Sequence, residues 1–222
     1  MFEDIAIPTY VINLKERSDR LQHALNQFEG RLEFEVHIIE ACSHEIGNVG
    51  LWKSIIKIIK HVINGDDDVI IVCEDDHLFT EHYDKIIFIQ NLIDASKQGV
   101  ELLSGGIGGF GNAVPVTQNR YWIDWLWCTQ FIVLYRPIFR KILEYNFTDT
   151  DTVDGALSEL TSHKMVLYPF ISEQLDFGYS DVTRSNNEVG GTITKHFQDA
   201  DRKMKIFHEA YLRYYNEVSV RY

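Results

Sequence analysis

Apolar positions along the chain switch between two periods, and the switches mark its elements. Residues 5–13 (IAIPTYVIN) form a β-branched and aromatic run that predicts a buried first strand. Ser18 then stands where it can cap a helix whose apolar positions Leu21, Leu25 and Phe28 recur at helical spacing. Phe34 to Ile39 predicts a short second strand. From Val49 to Ile63 a longer helix places Trp52, Ile55, Ile56, Ile59, Val62 and Ile63 on one face, with Lys53, Lys57 and Lys60 on another. Asn64-Gly65 closes it, because glycine tolerates the left-handed turn at a helix end. Asp68 to Cys73 (DVIIVC) is a continuous apolar run, the pattern of a central strand buried on both faces.

The second half continues the alternation. A charged helix over 81–98 precedes a strand at Val100 to Leu103 and a glycine-rich stretch from Gly105 to Gly111. Another strand, Phe131 to Leu134, leads into a helix with Pro137 in its first turn. Residues 152–161 read as helix and Met165 to Tyr168 as a late strand. Strands alternating with helices predict a layered α/β, Rossmann-like fold around a mainly parallel central sheet. In the tail, Phe197, Ala200, Met204, Phe207, Tyr211 and Tyr214 recur at spacings of three and four, an amphipathic stripe. The expected division is an α/β domain over 1–190 and a C-terminal helix over 191–222 docked on it. Self-association and attachment at a membrane surface are the other uses open to such a stripe.

Charge narrows the function. With 21 Lys and Arg against 33 Asp and Glu, the 222-residue chain carries a formal charge of −12, which repels a polyanion. Nucleic acid is therefore not an expected partner, although a local basic pocket can still hold a diphosphate. Cys42, Cys73 and Cys128 lie far apart without zinc-site spacing, and the first residues lack a signal-peptide pattern. No run approaches the roughly 18 apolar residues that span a bilayer. A cytoplasmic protein is expected, with peripheral membrane association left open.

The candidate chemistry sits in IIVCEDDHLF, residues 70–79. Glu74, Asp75 and Asp76 leave the carboxyl end of a buried strand, where open α/β sheets place their ligand crevices. Three adjacent carboxylates repel one another, and a divalent cation resolves that conflict. Oxygen-only ligands suit Mg²⁺ or Mn²⁺, which also neutralise a diphosphate leaving group. The plainer account is a solvated acidic turn, the account adopted for Asp66-Asp67-Asp68 upstream. His77 is either a further ligand or, as is commoner for a histidine beside an acidic site, a residue on the surface or behind the acids.

Two segments resemble glycosyltransferase family 25, the lipopolysaccharide-biosynthesis glycosyltransferases. Tyr10-Val11-Ile12-Asn13-Leu14, followed by Arg17 and Arg20, is similar to that family's opening pattern. Gly50-Leu51 and its helix running into Val69 to Asp76 is similar to its helix and acidic block, and Ser180-Asp181-Val182 after Gln174 suits its later part. The chain departs from the family where Leu51-Trp52 follows Gly50, with Ser43-His44 upstream, and the glycine run has no family counterpart. The resemblance implies a GT-A fold, a UDP-sugar donor, and Mn²⁺ or Mg²⁺. It further implies inverting transfer of a hexose such as galactose to a glycan or lipid-linked acceptor, in bacterial surface polysaccharide assembly. By position, Asn13, Arg17, Arg20, Glu74 and Asp75 would lie near the nucleotide, with Asp76 and Glu74 on the metal.

Inverting transfer needs a base for the acceptor hydroxyl, and Asp151, Asp154 and Asp181 are the candidates, Asp154 and Asp181 foremost. The glycine run is expected to be a loop, either closing over donor sugar or lying plainly on the surface. Asp124 and the rings around it (Tyr121 to Trp127) can stack on a sugar and bond its hydroxyls, or simply fill core and edge. A catalytically silent nucleotide- or glycan-binding domain and a metal-dependent nucleotidyltransferase are the rival readings.

Overall fold

The computed structural model describes residues 5–178 and 191–219, the last four of these by backbone alone. Strand β1 (Ile7–Asn13) is central, pairing in parallel with β2 (Phe34–Glu40) on one side and β3 (Val69–Glu74) on the other. Helices α1 (Ser18–Phe28) and α2 (Gly47–Val62) make the two crossovers. Beyond β3 the sheet continues through β8 (Phe131–Tyr135), β5 (Leu102–Ser104), β9 (Lys164–Leu167), β7 (Arg120–Ile123) and β6 (Ala113–Pro115). In this eight-stranded sheet β7 and β8 run against all the others. The α/β class and the shared strand direction thus stand as the sequence predicts.

Two cores flank the sheet. One face carries α2, with α4 (Arg136–Glu144), α5 (Val153–Leu160) and α6 (Thr192–Ser219); Ile55, Ile59, Ile70, Ile132 and Met204 meet there. The other carries α1 and α3 (Lys85–Lys97), closing over Ala24, Phe28, Ile71, Phe88 and Val133. A two-stranded ribbon, β4 (His77–Phe79) with β10 (Ser172–Gln174), sits beyond the end of β3. Among the described residues no helix is long and apolar enough to cross a membrane.

Helix α1 departs from expectation. Its buried positions are Arg20, Ala24 and Phe28, while Leu25 is 40% exposed, so the inward face is rotated away from Leu21 and Leu25. Ser18 is the first helical residue and supplies no cap hydrogen bond. Helix α3 begins later than its charged pattern predicts, because the Asp84 carboxylate caps it by accepting from Ile87 N. Gly65 ends α2 by a turn to Val62 O and does not take a left-handed φ.

The glycine-rich stretch is the largest correction. Residues 105–108 are buried, and Gly109 forms a bridge with Trp127. A methyl on Gly106 would meet Ser172 O at 1.9 Å, and one on Gly108 would meet Cys128 Sγ at 2.7 Å. These glycines let backbone lie on backbone, so the stretch is a packed layer and neither a closing nor a plain surface loop.

Candidate functional site

Parallel pairing of β1, β2 and β3 brings their carboxyl ends to one edge. β8 runs the opposite way, so its leading loop (127–130) reaches the same edge, and Glu74 N donates to Gln130 O at 3.0 Å. These loops and the N-termini of α2 and α5 enclose a cavity of about 610 Å³. That is within the size range of small-molecule sites. Ile12, Leu14, Ala41 to His44 and Gly47 line one side; Trp127 to Thr129 and Thr152 to Asp154 line the other. Glu74, Asp75, Asp76 and Arg20 lie between.

The acids form one bonded group. Arg20 Nη2 stands 2.6 Å from Asp75 Oδ1 and 2.5 Å from Asp76 Oδ2. Asn13 Nδ2 donates to Asp75 Oδ2 at 2.7 Å and to Arg17 O at 3.1 Å, tying the end of β1 to the acids. Gln174 Nε2 donates to the same Asp76 oxygen at 2.9 Å, and Thr129 Oγ1 donates to Glu74 Oε1 at 2.8 Å. Asp76 Oδ1 is buried without a hydrogen-bond partner among the described residues.

Burial dominates the protonation of these groups. It pushes Glu74 up to about 8, with the neighbouring Asp76 adding to it and the Thr129 hydroxyl opposing. Asp75 is pushed up to about 6 by burial, against the pull of Arg20, and Asp76 is raised for the same reason. A carboxyl held above its ordinary range exchanges its proton for a cation readily near neutral pH.

Among the described residues no three His, Cys, Asp or Glu side chains stand together as a ready-made metal site. Glu74 and Asp76 nevertheless both line the cavity, and Asp76 Oδ1 has no hydrogen-bond partner among the described residues. Mg²⁺-like cations commonly take one or two carboxylates and fill the remaining positions with water and substrate phosphate. The pair fits a cation of that kind bound together with a diphosphate.

Of the other predicted site residues, Asp154 lines the wall of the cavity beyond Arg20 and the acids, accepting from Cys128 N at 3.3 Å and Gly155 N at 2.8 Å. Arg17 contributes its carbonyl to Asn13, and its side chain is not among the cavity-lining groups. Asp151 accepts from the Thr148 backbone and hydroxyl, closing its own turn. Asp181, with Ser180 and Val182, lies outside the described residues. His77 is fully buried on Phe28, Phe79 and Phe131, with Nδ1 2.8 Å from Ser172 Oγ. It therefore lies neither on the surface nor among the residues that line the cavity.

Sequence reasoning missed Thr129, Asn48 and the placement of Trp127. Asn48 Oδ1 accepts from Val153 N at 3.1 Å, joining the start of α2 to that of α5 across the cavity wall. An Asn beside a helix start was the available signal.

No family model matches the chain, and no curated protein matches it. Solved structures do. A protein from STIV is similar at 10% identity and a TM-score of 0.49, covering 77% of this chain and 85% of its own. An apo UDP-glucose pyrophosphorylase is similar at 11% identity and 0.45, covering 90% and 81%. A Drosophila galactosyltransferase, solved with manganese, UDP-galactose and xylobiose, is similar at 9% identity and 0.43, covering 79% and 73%. Identities this low transfer no residue role, so the site is read from its own geometry.

Proposed function

We propose that this protein is a metal-dependent glycosyltransferase that moves a hexose, such as galactose, from a UDP-sugar to a glycan or lipid-linked acceptor. The observation that carries the reading is the Glu74–Asp76 group at the carboxyl ends of parallel strands, facing a cavity that Asp154 also lines. The resemblance to glycosyltransferase family 25 supplies the inverting course and the setting of bacterial surface polysaccharide assembly.

In this reading the nucleotide lies on the side of Leu14, Ala41 and His44, with its diphosphate toward the acids. A bound Mn²⁺ or Mg²⁺ would be held by Asp76 and Glu74 and would neutralise charge on the departing diphosphate. Arg20 positions Asp75 and Asp76 and keeps their mutual repulsion in check. Asp154 accepts the acceptor hydroxyl's proton as that oxygen bonds to the anomeric carbon and UDP leaves with the electrons of the broken bond. Asp181 is retained as an alternative base.

The test is a thermal-shift screen of UDP, UDP-sugars and nucleoside triphosphates, with and without Mn²⁺, on wild type and Asp76→Asn. A ligand that binds only the folded state raises Tm by mass action. The expected result is a Mn²⁺-dependent rise with UDP or one UDP-sugar that Asp76→Asn abolishes. A rise with triphosphates alone would favour a nucleotidyltransferase. No rise with any UDP species would overturn the reading and leave a silent domain.

A further inference from the structure

Two tryptophans are placed at a cost that folding does not require. Trp52 stacks on Phe147 within the core, and Trp122 Nε1 donates to Ser162 O. Trp125 and Trp127, by contrast, are 42% and 41% exposed, with buried Leu126 between them as the anchor. Neither indole N–H is bonded to another described residue. Large exposed aromatic faces in a soluble domain mark contact surfaces more often than core edges.

The two rings share one bed. A methyl on Gly109 would lie 3.0 Å from Trp127 Cε3 and 3.7 Å from Trp125 Cη2, and one on Gly111 would lie 2.9 Å from Trp125 Nε1. Any side chain at these positions would lift the rings. Asp124 accepts from Gly111 N, Trp125 N and Asn112 Nδ2, which fixes the loop that carries the rings. His196 braces Trp127 from α6, with ring centroids 4.3 Å apart. Trp127 lines the cavity that Asp154 also lines, while Trp125, outside that lining, meets the same Gly109.

We propose that Trp125 and Trp127 form a shelf that receives a pyranose ring of the acceptor glycan and delivers its hydroxyl to Asp154. The proposal rests on the transferase reading of the cavity. The apolar face of a pyranose stacks on an indole, while Thr129, Asn48 and Thr152 offer hydrogen bonds at the inner end. Gly109 and Gly111 thereby gain a purpose as the support that leaves room for both rings.

Saturation-transfer NMR with lactose, cellobiose, maltose and chitobiose tests this on wild type, Trp125→Ala, Trp127→Ala and Trp127→Phe, with the UDP thermal shift measured on each. Wild type should bind at least one disaccharide. Each alanine variant should weaken that binding by about tenfold or more, the scale of losing one stacked aromatic. Trp127→Phe should recover part of it, which a folding defect would not explain. Disaccharide binding unchanged in both alanine variants, or absent in wild type, overturns the shelf. So does a Trp127→Ala variant that loses UDP and keeps the disaccharide, since that ring then serves the donor. A UDP shift with disaccharide binding indifferent to the rings sinks the shelf alone. Ring-dependent disaccharide binding without any UDP shift sinks the transferase reading and keeps the shelf.

Discussion

The guanidinium of Arg20 holds Asp75 and Asp76 where both side chains are largely buried, so the protonation of the acids is coupled to folding. Glu74 lies at about 8 folded against an ordinary 4.5, and Asp75 at about 6 against 3.8. For an acid shifted upward the folded state holds more protons, so stability is fully present below the ordinary value and is lost as pH rises through the shifted one. The metal-free protein should therefore lose Tm between about pH 5 and pH 8, at up to ~1.4 kcal/mol per pH unit for Glu74. Glu74→Gln should flatten that slope, which differential scanning fluorimetry across the pH range reads directly. The acids were legible in the sequence because position after an apolar strand is a local signal. The resemblance places Arg20 near the nucleotide and says nothing of its pairing with the acids. Its partners lie more than fifty residues away, and no local pattern announces a buried ion pair at that distance.

Among the elements, most helices and the longer strands followed from periodicity, while the strand order, the short strands β4, β6, β7 and β10, the faces and the loops did not. The Leu21 and Leu25 spacing pointed α1 the wrong way because a buried arginine counts as polar in any amphipathic reading. The glycine run misled in the opposite direction. Small residues permit both freedom and close approach, and only the opposing Ser172 and Cys128 atoms decide which applies. Gly106→Ala forces its methyl into Ser172 O, a backbone atom that β10 holds in place. It should cost about 3 kcal/mol or more, as severe overpacking does. At that size a Tm loss of roughly 6–12 °C follows for a chain of this length. Gly30→Ala, at a left-handed φ of 75° with open space around it, should cost only ~1–2 kcal/mol. Urea unfolding of the two variants side by side separates lost room from lost backbone freedom.

At the scale of the whole molecule, two sets of lining segments meet around the acids at one edge of the sheet. Loops after β1 and β2 supply one, and the loop before β8 with α5 supplies the other. Helix α6 closes on the second set through Ile193 and His196, and it anchors Phe197, Ala200 and Met204 in the core. Lys203 Nζ also donates to Phe110 O at 2.8 Å. Each set contains one thiol: Cys42 belongs to the first and Cys128 to the second, while Cys73 is sealed inside the sheet. The molecule thus carries its own pair of footprinting tags. Burial raises the Cys128 thiol and slows it, so Cys42 should alkylate first. With iodoacetamide and peptide mass spectrometry, UDP with Mn²⁺ should protect Cys42, a disaccharide should protect Cys128, and Cys73 should react only on unfolding. Which tag goes silent would report which half of the site is filled, with no label added to the protein.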